Sequence, residues 1–327
     1  MNELALAVFA ARRDAHATDA DARTRDFAAF AAAFDGAAYV RELESRGFRW
    51  LARSDAAFPP RLAAIHDPPP GLFLRGGADP QLLAQTAVAI VGARSCTDYG
   101  THVARMFGRE LAAAGVLVVS GLARGVDGWA HRGALDAGGA TVAVLGCGVD
   151  RDYPRAHSAL AAQIAATGLL ASEYPPGVEP APWRFPARNR IVAGLSAATL
   201  VVEARERSGA LITADLALEE GREVLAIPGE ITSALSQGTN ALIRLGAAPV
   251  TGVDDVLELL GLERREDPVD SPPTGPAAAV LAAVDKGART ADELVRGTRL
   301  PAGAVAAALV ELELAGLVSA SSGVYRR

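Results

Sequence analysis

Apolar residues recur along the chain in short unbroken runs separated by amphipathic stretches, and the run Ala87-Val88-Ala89-Ile90-Val91 sets the pattern. It stops at Gly92, in a polar turn that leads into helical periodicity over 99–114. A parallel strand covered on both faces reads this way, as continuous apolar character followed by a helical crossover. Further strand-like runs stand at 116–119, 141–145, 169–171, 199–202 and 223–227, each ending in a polar or Gly/Pro-rich loop. Strands and helices in strict alternation predict an α/β fold, a doubly wound parallel sheet over 81–261.

Both flanks follow other patterns. Residues 1–80 predict a small helical domain, with alanine-rich helices at 4–13, 24–34 and 37–46, and then an extended link. The prolines of FPPRL and DPPPG remove donors and constrain their predecessors, so the link cannot be helical throughout. Residues 262–276 are charged and proline-rich, which predicts a linker. Over 277–327 come three helical patterns (277–285, 290–296, 302–315) and then two strand-like pieces around a turn, the order of a winged helix. Its third helix carries no Lys or Arg but has Glu311 and Glu313, which favours a packing or protein-contact role over contact with DNA phosphates.

Composition narrows the reading. With 50% hydrophobic and 21% charged residues, the chain predicts a well-buried globular protein. No apolar run reaches the roughly 18 residues that span a bilayer, and the short, charged start is unlike a secretory signal, so a cytoplasmic protein without membrane contact is expected. Cys96 and Cys147 have neither metal-ligand nor disulfide-framework spacing, so no redox role, metal or cofactor is expected. A net charge of −6 argues against a nucleic-acid partner only if the charges are evenly spread. The one lysine is Lys286; the other positive side chains are arginines, whose forked donors suit phosphate and stack on bases.

Doubly wound sheets bind ligands beyond the carboxyl ends of their strands. The loops that fall there carry Arg94, Arg124, Arg155, Arg184, Arg188, Arg190, Arg205 and Arg207, so one edge of the sheet is expected to be strongly basic. The turn Gly92–Thr97 offers a glycine, the hydroxyls of Ser95 and Thr97, and Arg94 at the positive end of a helix, a setting that binds anions. The dinucleotide fingerprint, the phosphate-binding loop and the nucleophile elbow are all absent. Asp127 and His131, four apart, could form a general-base pair or fix a helix to its loop. Glu203 reads as an ion-pair partner of Arg205 and Arg207, and Glu219 and Glu220 as solvated carboxylates. The segment 174–190 places Tyr174, Trp183 and Phe185 among three arginines on a loop with five prolines, and Arg188 and Arg190 flank Asn189 closely enough that not all should be buried. Basic groups interleaved with π-faces suit single-stranded nucleic acid.

The ordered set GARSCTDYG, SGLARGVDGWAH, GGATVAVLGCGVDRDYPR, ASEYPPG, FPARNRIVAGLS, VVEARERSGALITADLALEEGR, IPG and SQGTNALI resembles the bacterial DNA-processing DprA family over roughly residues 57–250. The resemblance implies an extended Rossmann-like domain between a small helical, SAM-like domain and a winged helix. It also implies a homodimer without catalytic activity that binds single-stranded DNA and loads RecA recombinase in natural transformation and recombination. By motif position the family's DNA-contacting arginine falls on Arg94 and its second basic contact on Arg155. Arg124, Phe185, Arg188, Asn189 and Arg190 share the crest and join the candidate DNA-binding set, with Ser95, Thr97, Gly121, Gly125, Ser208 and Gly209. The alternative is a nucleotide-processing hydrolase, because Ser208–Thr213 followed by Glu219 and Glu220 is similar to the phosphate-loop arrangement of phosphoribohydrolases.

Overall fold

The structure, a computed structural model, describes residues 2–18, 20–263, 273–314, 317–321 and 324–326. Most of the expected linker therefore lies outside the described residues. The chain divides into two compact units, Met1–Arg264 and Arg265–Arg327.

The first unit begins with helices α1 (Glu3–Arg12), α2 (Arg25–Ala33) and α3 (Gly36–Ser45). Each opens on a side-chain cap, from Asn2, Thr24 and Asp35 respectively, which satisfies a backbone N–H that the helix leaves open. Strand β1 (Phe48–Ala52), the single turn α4 (Pro60–Ala63) and strand β2 (Gly71–Arg75) follow. The doubly wound part runs β3 (Ala87–Val91), α5 (Asp98–Ala113), β4 (Leu117–Ser120), α6 (Val126–Asp136), β5 (Thr141–Val144), α7 (Ser158–Thr167), β6 (Leu169–Ser172), α8 (Arg184–Leu195), β7 (Ala198–Val201), α9 (Gly209–Glu219) and β8 (Glu223–Ala226). Helix α10 (Gln237–Arg244), β9 (Ala248–Pro249) and α11 (Val253–Leu259) complete it.

These strands form one nine-stranded sheet in the order β1-β2-β6-β5-β4-β3-β7-β8-β9. Strands β3 to β9 pair in parallel, and β1 and β2 add an antiparallel edge beside β6. The doubly wound parallel fold is as expected. Because side chains alternate across a strand, the unbroken apolar run of β3 serves two cores. Ala87, Ala89 and Val91 join Ile191, Ala210 and Ala214 of α8 and α9 on one face. Val88 and Ile90 join Phe107, Val126 and Val253 of α5, α6 and α11 on the other.

Two stretches differ from their reading in the sequence. Residues 48–52 and 71–75, which fell in the helical module and extended link, are strands that widen the sheet. Their pairing runs Phe48↔Arg75 to Ala52↔Gly71, a contact across the proline-rich connection that local periodicity does not encode. Strand β9 has two residues, too few to show a period.

The second unit is a winged helix: α12 (Gly275–Asp285), α13 (Ala291–Thr298), α14 (Ala302–Leu314) and the hairpin β10 (Ser319–Ser321) and β11 (Val324–Arg326). Val280, Val284, Leu294, Val305, Leu309 and Leu312 fill its core. A capping box between Thr290 and Glu293 starts α13. Among the described residues, no helix is long and apolar enough to cross a membrane.

Candidate nucleic-acid interface

The connections that follow β3, β4, β6 and β7 border a cleft of about 230 Å³ lined by Gly92, Arg94, Gly121, Asp127, Phe185, Arg188, Asn189, Ser208 and Gly209. Seven of the thirteen sequence-predicted positions thus meet in one place: Arg94, Gly121, Phe185, Arg188, Asn189, Ser208 and Gly209. They arrive from four separate connections, which only the crossing of β3 with its neighbours can bring together.

The turn after β3 is held from below. Glu203, at 4% exposure, accepts a bond from the Thr97 N–H at 2.9 Å and another from Thr97 Oγ1 at 2.6 Å. Thr97 Oγ1 in turn accepts from the Gly100 N–H at 3.0 Å and caps α5. The Ala93 N–H donates to the Glu203 carbonyl at 2.7 Å. Glu203 was expected to pair with Arg205 and Arg207; instead its carboxylate points inward and clamps the turn, because the buried end of β7 lies directly under Thr97. Arg94 and Ser95 are exposed above this clamp, and Arg94 makes no ion pair with any described residue.

The turn after β4 packs tightly against the first. Gly125 has φ +74°, and a Cβ there would meet the carbonyl oxygens of Ala93 and Arg94, so only glycine lets the two loops touch. Asp127 accepts from the N–H groups of Gly121 and Ala123, both at 3.2 Å, which fixes the loop that carries Arg124. Burial raises the Asp127 pKa, against the pull of Arg188 and the two N–H donors. His131 does not pair with it. Its Nδ1 lies 2.8 Å from Thr141 Oγ1, and complete burial pushes its pKa down to about 3, which keeps it neutral. The two residues thus fix separate contacts.

The segment 173–190 corrects the expectation most. It is a loop only to Trp183; α8 starts at Arg184. Arg184, Arg188 and Arg190 are all buried, at 6%, 4% and 8% exposure. Arg184 donates to the Glu179 carbonyl and to the Asp14 carboxylate. Arg190 makes a two-pronged pair with buried Glu173, at 2.7 and 2.8 Å, and its Nε reaches the Asp67 carboxylate at 3.1 Å. On the helix, 184 and 188 share a face and 190 turns to another, so each guanidinium is buried by its own partners, while Phe185, Pro186, Arg188 and Asn189 line the cleft. Arg190 is therefore a structural ion pair and leaves the candidate set. Arg188 remains in the cleft wall as a buried cation. Its guanidinium lies against Gly121 and donates to the Val144 carbonyl. Burial lowers its pKa and Asp127 opposes that shift. Tyr174 is buried at 1% and offers no stacking face.

Phe185 does face the cleft. The Arg94 guanidinium stands 5.6 Å from its ring centroid, and the Tyr153 ring stacks on it at 5.3 Å and 26°. Two residues past Tyr153, exposed Arg155 makes no ion pair with a described residue, nor does exposed Arg124. His157 anchors that loop to the next one through Nδ1 and the Leu122 carbonyl, 3.0 Å apart. The sequence-based set missed the supports Glu203, Asp127 and His157, whose partners lie far away or in turns, and also Tyr153, although the YPR motif contains it.

Ser208 caps α9 beside the cleft, with its hydroxyl accepting from the Ala210 N–H at 3.3 Å. Glu219 and Glu220 sit at the opposite end of the same helix, about 15 Å away at 1.5 Å per residue. Glu220 accepts from the His66 N–H at 2.9 Å. The phosphate-loop-like turn and the two carboxylates are therefore not brought together.

Comparison with known proteins adds to this geometry. The family model described as DNA recombination-mediator protein A matches residues 49–261, and one described as DprA winged helix domain matches residues 264–323. The chain is 40% identical over 296 residues to protein Smf of Escherichia coli, which covers 87% of this chain and 79% of that protein. The crystal structure of DNA processing protein A from Streptococcus pneumoniae superposes with a TM-score of 0.66 at 41% identity, covering 74% of this chain and 84% of that one. DNA processing protein A from Helicobacter pylori, whose structure is described for its single-stranded DNA binding mode, superposes with a TM-score of 0.58 at 32% identity, covering 65% of this chain and 95% of that one.

Proposed function

Because the chain belongs to the DNA recombination-mediator protein A family, we propose that it binds single-stranded DNA along the carboxyl edge of its sheet and delivers the strand to the recombinase RecA. In this reading it acts as a homodimer, without catalysis and without a cofactor, during natural transformation and recombination. The observation that carries the reading is the set of exposed guanidiniums with no carboxylate partner among the described residues: Arg94, which lines the cleft beside Phe185, and Arg124 and Arg155 on the loops after β4 and β5. Cations left unpaired on a rigid rim can neutralise backbone phosphates, and the phosphate contacts hold a strand regardless of its sequence. A ring beside them accommodates unstacked bases, which a duplex does not present. The binding of single-stranded DNA described for the Helicobacter pylori relative supports the same partner here.

The positions contacting DNA in this reading are Arg94, Ser95, Thr97, Gly121, Arg124, Gly125, Arg155, Phe185, Asn189, Ser208 and Gly209, with Arg188 lending charge from within the wall. A gel shift with single-stranded and double-stranded oligonucleotides of equal length tests it. Wild-type protein should retain the single strand in preference to the duplex, and Arg94→Glu should abolish retention. Equal retention of both forms, or an unaffected Arg94→Glu variant, removes the reading.

A further inference from the structure

Among the described residues only two aromatic side chains other than histidine are exposed, Tyr99 at 53% and Tyr153 at 42%. Tyr99 lies in the first turn of α5 just past Arg94, and Tyr153 lies on the loop that follows β5, so both stand by the basic rim. An apolar ring left open to water loses the stabilisation that burial gives, whereas the other described rings are packed wholly or in part into the cores or against one another. Tyr153 differs from Tyr99 in being tied into the cleft. Its ring lies nearly parallel to that of Phe185, which lines the cleft and carries the Arg94 guanidinium. Along the chain, Arg155 is two residues away. The stacked rings therefore connect the two exposed arginines that come from different strands.

We propose that Tyr153 is a stacking platform for one unpaired nucleobase of the bound strand, between the phosphate contacts of Arg94 and Arg155. This rests on the reading of the protein as a single-strand binder and adds to it a contact that acts on the base. Phe185 holds the Tyr153 ring in place and leaves much of it open, so the platform is formed before DNA arrives and little side-chain freedom is lost on binding. Stacking on a ring tolerates every base, because each has a π-face, so the contact keeps the binding sequence-independent. The tyrosine hydroxyl has no hydrogen-bond partner among the described residues, and the contact does not require it.

Fluorescence anisotropy with a labelled oligothymidylate, and with an abasic strand of the same length and charge, tests the assignment. Wild-type protein should bind the oligothymidylate more tightly than the abasic strand. Tyr153→Ala should weaken oligothymidylate binding by roughly five- to 150-fold, the range for one lost base–aromatic stack. Its affinity for the abasic strand and its salt dependence should stay unchanged. Tyr153→Phe should bind like wild type, and Tyr153→Leu, which still packs against Phe185 but has no π-face, should behave like Tyr153→Ala. Equal weakening toward both strands, or full oligothymidylate affinity in the Ala and Leu variants, overturns the platform while leaving the single-strand reading intact. Failure of the wild-type protein to bind either strand overturns both.

Discussion

Arg190 lies in the interior, apart from the arginines proposed to contact DNA, and its replacement has a calculable effect. It is 8% exposed and holds Glu173, itself 4% exposed, through two parallel bonds at 2.7 and 2.8 Å. Burial alone would lower its pKa, but the Glu173 carboxylate outweighs that and drives it upward. Arg190→Met fills much of the same space and leaves Glu173 as an uncompensated buried carboxylate, a change that costs about 3–5 kcal/mol. For a unit of this size each kcal/mol lowers the melting temperature by about 2–4 °C, so the fall should be about 6–20 °C. Circular dichroism melts give that number, and single-strand affinity measured well below the melt should stay within about twofold of wild type. Adding Glu173→Leu to the same chain should restore much of the loss, because a pair of apolar residues leaves no charge unpaired. A variant that melts within about 2 °C of wild type and loses DNA binding would refute the placement of Arg190 in the interior.

Removing the clamp under the first turn should be visible locally. Glu203→Ala deletes charge-assisted bonds worth about 1.5–3 kcal/mol each, so amide exchange at Thr97 should accelerate by about ten- to 150-fold and single-strand affinity should fall, with the helical content unchanged; unchanged exchange at Thr97 would contradict the clamp. The joint between the N-terminal helices and the main sheet should be pH-dependent. His16 Nε2 lies 3.5 Å from the Asp67 carboxylate, and that hydrogen bond raises the His16 pKa above its ordinary 6.5. A raised folded-state pKa gives stability that is complete below 6.5 and lost as pH climbs through the folded value. Melting temperature should thus decline from pH 6 toward pH 8, and His16→Ala should flatten that decline; identical pH profiles for the two proteins would dismiss the joint.

Much of the sheet was legible because parallel strands buried on both faces must be apolar at every position. Ala87–Val91 satisfies that rule, and the five later runs follow it apart from Thr141, Thr199 and Glu223 at the starts of three of them. Strands β1 and β2 escaped because their partners are each other and β6, across long connections, and because prolines between them hid the pairing. At the cleft, residue types were informative where the structure demands a left-handed backbone, as at Gly125, room for a neighbouring side chain, as at Gly121 beside Arg188, or an exposed cation, as at Arg94 and Arg155. They misled where burial decides. Arg184, Arg188 and Arg190 look like a basic track when read in line, yet each is buried against a partner distant in sequence, the Asp14 carboxylate, the Val144 carbonyl and the Glu173 carboxylate. Glu203 likewise looked like a partner for nearby arginines, and its true partner, Thr97, is 106 residues away in sequence. A sequence shows which side chains could carry charge to a surface, and packing decides which of them stay there.

The salt dependence of single-strand affinity, compared between wild type and Arg94→Ala, bears most directly on the claim that this rim holds the strand by its phosphates. Each neutralised phosphate contributes about −0.7 to the slope of log affinity against log salt. The Arg94→Ala slope should be shallower by about 0.7, with affinity reduced on every base sequence, and Arg155→Ala should act in the same way. Unchanged slope and affinity in both variants would contradict it.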